Sequence, residues 1–202
     1  MKRIISTILA TALLFISFAV NTFAATTHIV EKGDSLWKIA VRYQIGLSEI
    51  KAANPSIKNY NLIYPGQTIN IPAVSSTVTA YEAEVVRLVN DIRQKNGLKP
   101  LAQDWQLSRV ARYKSEDMRK LGYFSHTSPT YGSPFDMMRS FGISYRTAGE
   151  NIAKGYKTPE AVVNGWMNSP GHRANILNST YTHIGVGYVA SGNYWTQMFI
   201  SK

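Results

Sequence analysis

The chain has 202 residues, 45% hydrophobic and 17% charged, so it is long enough for one small and one medium domain and too apolar to be disordered. It contains no cysteine, which excludes disulfides, thiol catalysis and Cys-based zinc sites. Lys and Arg number 22 against 12 Asp and Glu, for a formal charge of +10. The basic residues are scattered and form no run typical of a nucleic-acid-binding arm, so we expect no nucleic acid partner.

Residues 1–24 have the pattern of a secretory signal peptide. Lys2 and Arg3 precede an apolar run that is short for a membrane-spanning helix, and small residues follow as far as Ala24. We expect cleavage after Ala24 and no membrane span in the mature chain; an uncleaved membrane anchor is the alternative. Export without cysteine is typical of bacteria, and the natural anionic partner of a basic exported protein is the cell wall or the membrane surface.

Residues 25–72 predict a compact β-α-α-β unit. "HIVEKG" and "YPGQTINIP" have the features of strands, and "SLWKIAVRY" has the apolar spacing of one helix face. Gly46 is expected to end this first helix, and Ser48 to cap a second short one that stops before Pro55.

This segment resembles a LysM module over its full length, from the V-x-K-G-D-S-L-W start through N-P to the L-I-Y-P-G-Q-x-I-x-I-P end. LysM modules bind glycans that contain N-acetylglucosamine, chiefly peptidoglycan or chitin. The resemblance implies a groove between two loops, one before the first helix and one before the second strand. Its expected glycan-binding residues are Gly33, Asp34, Ser35, Leu62, Ile63, Tyr64 and Pro65.

Residues 73–79, "AVSSTVT", predict a short linker to a second domain at 80–202. Thr79 and Glu82 have the spacing of a capping box at the start of its first helix. Further helices bounded by Gly and Pro follow, and two apolar strands close the chain. Helices early and paired strands late predict an α+β fold, with helices packed on an antiparallel sheet.

Three side chains of the second domain are candidates for chemistry. His126 and His172 are both expected in loops marked by Gly and Pro, and Glu150 lies between them in the sequence. Two imidazoles and a carboxylate can bind a divalent metal with an open position, or form a general acid–base cluster in which the carboxylate orients one ring. They can equally be satisfied polar groups that pin loops, because separations of 24 and 22 residues do not show that the three converge.

An ordered set of motifs in residues 80–202 resembles the bacterial form of the CAP superfamily, which includes cysteine-rich secretory proteins and plant pathogenesis-related proteins. The motifs are "FSHTSP", "AGENIAKG", "WMNSPGHRANILN", "IGVGYV" and "YWTQMF". The resemblance implies an α-β-α sandwich whose cavity, in animal and plant members, is lined by two His and two acidic residues. His126 matches the first histidine and Glu150 the acid of the G-E-N motif.

The other two positions depart from the family pattern. Ser169 stands where the second acid is expected, and Tyr194 where the second histidine is expected. His172 is the substitute that the preceding segment offers, and Gln197 follows in the same motif. The implied cavity is therefore His126, Glu150 and His172, lined further by Ser169, Tyr194 and Gln197. Zinc is the one cofactor that two imidazoles and a carboxylate suggest.

We therefore predict a secreted bacterial protein that binds peptidoglycan through LysM and presents a CAP domain with a His/Glu cavity for a ligand such as a lipid or wall fragment. The alternative is a metal-assisted hydrolase of wall or peptide substrates that uses His126, Glu150 and His172. A secreted effector acting on other cells is a third class. A serine hydrolase is disfavoured because the chain has no G-x-S-x-G motif. Oligomeric state is not predicted.

Overall fold

The computed structural model describes residues 26–202, so the signal peptide predicted for residues 1–24 lies outside the described residues. The first module has the predicted β-α-α-β order, and its two strands pair antiparallel with Thr26 opposite Ile71. Ile39, Ile50 and Ile69 are fully buried and form the centre of its core. Its elements are β1 (Thr26–Ile29), α1 (Leu36–Arg42), α2 (Leu47–Ala52) and β2 (Thr68–Ile71).

The two helices of this module begin at different kinds of cap. Ser35 caps α1, because its hydroxyl accepts from the backbone N–H of Lys38. The predicted Ser48 cap for α2 is wrong: this helix begins at Leu47, with Gly46 at the cap position and no side-chain cap. Ser48 lies inside the first turn, where its hydroxyl donates to the Glu49 carboxylate.

The second domain contains five helices and four strands within the described residues. In chain order these are α3 (Ser76–Lys95), β3 (Ala102–Gln103), α4 (Trp105–Leu121), α5 (Pro134–Ser140), β4 (Thr147–Lys154), α6 (Pro159–Met167), α7 (Pro170–Ile176), β5 (His183–Val189) and β6 (Tyr194–Ser201). No helix in residues 26–202 is long and apolar enough to cross a membrane.

The sheet has the strand order β3-β5-β6-β4 and separates two layers of helices. Strands β5, β6 and β4 are antiparallel, and the two-residue β3 runs parallel to β5. Met198 and Ile200 pack with α4 and α5 on one side, which we call the α4 face. Trp195 and Phe199 pack with α3, α6 and α7 on the other side, the α6 face. The α-β-α sandwich is therefore confirmed.

Two glycines in β5 allow α4 to lie directly against the sheet. A Cβ on Gly185 would overlap the backbone of Leu107, and a Cβ on Gly187 would overlap the backbone of Ala111. The alternation in "IGVGYV" follows from this contact: the valine and isoleucine side chains fill the α6 face, while the glycines leave room for α4.

The first helix of this domain begins earlier than predicted. It starts at Ser76, so residues 76–79 belong to α3 and the connection between the modules is shorter than the predicted linker. The capping box of Thr79 and Glu82 is wrong. The Glu82 side chain is fully buried and accepts from Arg112 at 2.6–2.9 Å and from the Tyr188 N–H at 3.0 Å. It holds α3 to α4 and β5, which a local capping pattern does not reveal.

Candidate functional site

The centre of the candidate site is the pair formed by His126 and Glu150. Nδ1 of His126 lies 2.7 Å from Oε1 of Glu150. The Glu150 side chain is 2% exposed and the His126 side chain 53% exposed, so the imidazole faces solvent and the carboxyl group lies in the interior. Burial raises the pKa of Glu150, although His126 and the nearby Lys114 oppose this rise. Among the described residues, Glu150 Oε2 has no hydrogen-bond partner.

A buried cation on α4 supports the loop that carries His126. Lys114 is fully buried, and its ammonium donates to the backbone carbonyl of His126 at 2.7 Å and to the Tyr123 hydroxyl at 3.3 Å. Burial lowers the pKa of Lys114, while Glu150 and Asp117 act in the opposite direction. Lys114 thus fixes the histidine loop and places a positive charge near the Glu150 carboxylate.

Asp117, one helical turn further along α4, ties down the rest of this loop. Its carboxylate accepts from the hydroxyls of Tyr123, Ser128 and Thr130 at 2.6–2.7 Å. Burial acts to raise the pKa of Asp117, but these three hydrogen bonds outweigh it and the pKa is lowered. Sequence reasoning missed Lys114 and Asp117. Lys114 stands three and four residues after the buried Ala111 and Val110, so the helical period could have indicated that it faces the core.

Helix α7 supplies the second histidine, and this corrects an expectation. His172 was predicted in a loop, but it lies in the first turns of α7, with Pro170 at the first helical position. Its imidazole pKa is lowered, first by burial and then by the charge of His126. His126, in the loop after α4, is therefore close enough to lower the pKa of His172 in α7.

Three amide side chains hold α7 against the sheet. Asn151 is fully buried and donates to the His172 carbonyl at 3.1 Å and to Gln197 Oε1 at 2.9 Å. Asn175 donates to Asn151 Oδ1 at 2.9 Å and to the Glu150 carbonyl at 3.2 Å. The Glu150 carbonyl lies on β4, an edge strand, so Asn175 satisfies an acceptor that no further strand pairs.

The other end of α7 is anchored by α3. The buried guanidinium of Arg93 donates to the carbonyls of Ile176 and Asn178 at 2.8 Å each. A positive charge at these terminal carbonyls also complements the helix dipole. Because both ends of α7 are fixed, the backbone of His172 has a defined position beside β4.

A groove of about 270 Å³ opens beside β4 and α7. His172 and Ser169 line it, together with the aromatic rings of Phe124 and Tyr156. Phe124 is 51% exposed and Tyr156 39% exposed, although both are large and apolar. Exposed aromatic rings beside the His172 imidazole give the groove a mixed apolar and polar character that is typical of ligand sites.

Two residues expected in the cavity lie elsewhere. Tyr194 is opposite Lys154 in the β4–β6 register, four positions from the Met198 that faces Glu150, and its ring packs with Met118 and Ile152. Gln197 is fully buried and is hydrogen-bonded to Asn151. Neither residue lines the groove that Ser169 lines.

The described residues do not form a metal centre. No group of three or more His, Cys, Asp or Glu side chains in residues 26–202 is placed to hold a metal ion. His126 and Glu150 are already bonded to each other, and no hydrogen bond joins His172 to either of them. The zinc set of His126, Glu150 and His172 is therefore not supported by the donor geometry.

The expected glycan residues of the first module divide into two groups. Asp34 is occupied internally: its carboxylate bonds His28 Nε2 at 2.8 Å and the Glu31 N–H at 2.9 Å, and these contacts lower its pKa. Ser35 is the helix cap described above. Leu62 and Tyr64, by contrast, are 51% and 60% exposed. Gly33 and Pro65 are also exposed, and Ile63 is half-buried against the module core.

Comparisons with known proteins agree with this two-module architecture. The LysM domain matches residues 28–72, and the Cysteine-rich secretory protein family (CAP) matches residues 86–200. Protein YkwD of Bacillus subtilis (strain 168) is 65% identical over 136 residues, which cover 67% of this chain and 53% of YkwD. The membrane protein YlbC of the same strain is 41% identical over 170 residues, covering 80% of this chain and 49% of YlbC. The chain thus spans about half the length of these curated relatives.

A solved structure has a similar fold. An extracellular protein containing an SCP domain, from Bacillus anthracis str. Ames, superposes with a TM-score of 0.60 at 36% identity and covers 68% of this chain and 47% of that one. The family match spans more than half of the 202 residues, although this chain has no cysteine. The chain therefore belongs to the cysteine-rich secretory protein (CAP) family, with a LysM domain ahead of its CAP domain.

Proposed function

We propose that this protein is exported to the bacterial cell wall, where its LysM domain binds the N-acetylglucosamine-containing glycan of peptidoglycan and its CAP domain binds a small wall-associated ligand. The CAP half of the proposal depends on one observation above all. An exposed imidazole, His126, is held by a buried carboxylate whose second oxygen has no partner in the described chain. A buried carboxylate with only one of its oxygens hydrogen-bonded lowers the stability of the fold. Such groups are found mainly at binding or catalytic sites.

The groove indicates the kind of ligand. Phe124 and Tyr156 offer apolar surface and His172 offers hydrogen-bonding nitrogens, while His126 is close enough to act on the pKa of His172. Burial lowers the pKa of His172, so this ring is neutral at pH 7 and offers both a donor and an acceptor nitrogen. The ligand class that fits is a small amphipathic molecule with an apolar portion and hydroxyl or amide groups, such as a wall fragment or a lipid.

The LysM half is tested by co-sedimentation with purified sacculi. Tyr64→Ala removes a 60% exposed ring from the expected glycan groove, so we expect weaker binding of the full chain. Phe135→Ala removes a 40% exposed ring from α5 of the CAP domain and serves as the control. Equal binding of wild type and Tyr64→Ala would contradict the assignment of this groove.

Acid–base hydrolysis is a second candidate, favoured by the 2.7 Å contact between His126 Nδ1 and Glu150. The carboxylate orients the ring, and Nε2, which no described residue bonds, is left to accept a proton from water or a substrate hydroxyl. This chemistry predicts that incubation with wall material releases soluble fragments, that His126→Ala abolishes the release, and that a metal chelator does not. Fragment release that is unchanged in His126→Ala would refute it.

A further inference from the structure

The two modules meet across a second cleft, which is separate from the His126–Glu150 site. It lies between α1–α2 of the LysM domain and α4–α5 of the CAP domain and has a volume of about 370 Å³. This is within the range of roughly 300–1,000 Å³ that small-molecule sites occupy. Trp37 contributes to one wall and Trp105 to the other.

One arginine of the CAP domain fixes the two walls relative to each other. Arg109 donates to both carboxylate oxygens of Glu49 at 2.6 and 2.8 Å and to Ser48 Oγ at 2.9 Å. Its guanidinium carbon lies 5.2 Å from the ring centres of both Tyr113 and Phe141. Such a fork of charged hydrogen bonds, with two aromatic rings beside it, has little freedom to move.

Gly46 shows how closely the arginine approaches the LysM domain. A Cβ at this position would overlap the guanidinium group of Arg109, so any larger residue would require the arginine to move from its present contact. The missing side chain is therefore explained by the neighbouring domain rather than by the turn. Because the LysM backbone at Gly46 contacts Arg109 of the CAP domain, the cleft is formed only when the two domains are docked.

The four tryptophans of the chain differ in a way that points to this cleft. Trp166 and Trp195 are buried, and their indole N–H groups donate to the carbonyls of Ile152 and Tyr156 at 3.2 and 2.7 Å. Within residues 26–202, the N–H groups of Trp37 and Trp105 have no hydrogen-bond partner, and neither ring packs on another aromatic ring. Trp37 is 60% exposed and Trp105 half-buried.

The remaining wall groups are short and polar. The exposed Gln106 amide and the hydroxyl of Ser48 line the cleft next to the two indoles. A sugar ring has an apolar C–H face, which packs on an indole, and an edge of hydroxyl and amide groups, which pair with amide and hydroxyl side chains. A lipid tail would leave these polar groups unpaired, and the carboxylate of Glu49, already paired with Arg109, disfavours a further anion.

We infer that the cleft between the two domains is a second glycan subsite, in which Trp105 and Gln106 of the CAP domain bind N-acetylated sugar residues of the strand held by the LysM domain. This inference rests on the proposed glycan binding of the LysM domain. It makes the CAP domain part of the glycan-recognition surface, through residues distant from His126.

Titration calorimetry of the full mature chain with the β-1,4-linked tetramer of N-acetylglucosamine tests the inference. Trp105→Ala is expected to weaken binding about tenfold, which corresponds to about 1.4 kcal/mol of lost interaction. Gln106→Ala changes an exposed side chain and is expected to weaken binding by a smaller factor without affecting the fold. Phe135→Ala is the control and is expected to bind as the wild type does. Circular dichroism confirms that each variant is folded.

The outcomes separate the two proposals. If the wild type binds, Tyr64→Ala weakens binding and both Trp105→Ala and Gln106→Ala leave it unchanged, the cleft subsite is refuted while LysM glycan binding stands. If the wild type does not bind the tetramer, both proposals fail. Weakening by Trp105→Ala and Gln106→Ala but not by Phe135→Ala supports the inference.

Discussion

Replacing Asn151 by alanine tests how α7 is positioned. The side chain is fully buried on the α6 face and makes three hydrogen bonds, to the His172 carbonyl, to Gln197 and from Asn175. At about 1 kcal/mol for each hydrogen bond, Asn151→Ala should lower the free energy of unfolding of the CAP domain by about 3 kcal/mol. For a domain of this size, that corresponds to a decrease in Tm of about 10 °C.

Urea denaturation measures the free energy, and NMR titration of His172 measures the effect on the site. Because burial lowers the pKa of this imidazole, a looser α7 should move its pKa back toward the ordinary value. Asn164→Ala, which truncates an exposed asparagine of α6, is the matched control and should change stability by less than about 0.5 kcal/mol. A loss of stability in Asn151→Ala no larger than in this control would refute the proposed role of the amide network.

Three further predictions follow from buried and interfacial groups. Gly187→Ala should destabilise the CAP domain severely in thermal unfolding, because its Cβ overlaps the backbone of α4, whereas Gly171→Ala, which meets open space in α7, should be neutral or slightly stabilising. Glu150→Gln should change the pH dependence of unfolding. The raised pKa of Glu150 contributes stability that is fully present below the unfolded-state pKa near 4.5 and is lost as pH rises through the folded-state pKa. The variant should lack this loss. Arg109→Ala should separate the two domains and increase the radius of gyration in small-angle X-ray scattering, because it removes the contact with Glu49.

Each of these has a contrary result. Equal melting temperatures for Gly187→Ala and Gly171→Ala would mean that α4 does not lie against β5 at this position. Parallel pH profiles for wild type and Glu150→Gln would show that the carboxyl does not titrate differently in the folded chain. Arg87→Ala, which removes two exposed ion pairs within α3, is the control for the scattering experiment, and an equal radius for it and Arg109→Ala would count against domain docking.

The sequence predicted most of the fold because its local signals are strong. Asp104 caps α4, Ser133 and Pro134 open α5, and Gly122 ends α4 in the left-handed conformation, and each of these residue types is a common helix boundary. The failures had two causes, a distant partner for one local pattern and a misread helix start for the other. Glu82 has capping-box spacing but bonds Arg112, and "NSPGHRANIL" has a turn-like start but forms α7, because Pro170 suits the first helical turn.

The sequence indicated some residues of the candidate site, but it did not indicate their supporting groups or their geometry. His126 and Glu150 were expected to lie together, and their side chains are in hydrogen-bond contact although they are 24 residues apart. The same sequence evidence suggested a metal, which the donor arrangement does not support. The period of two places the adjacent Glu150 and Asn151 on opposite faces of β4, but it does not show which face meets which layer of helices.

The central claim is that the CAP domain binds a wall-associated ligand at the His126–Glu150 pair and its aromatic groove. The most direct measurement is incubation of the mature protein with purified wall and lipid fractions, followed by mass spectrometry of the species that remain bound after gel filtration. We predict a retained amphipathic species for the wild type and for Tyr64→Ala, and its loss in Phe124→Ala and in His126→Ala. Retention of the same species by all four proteins would contradict the claim.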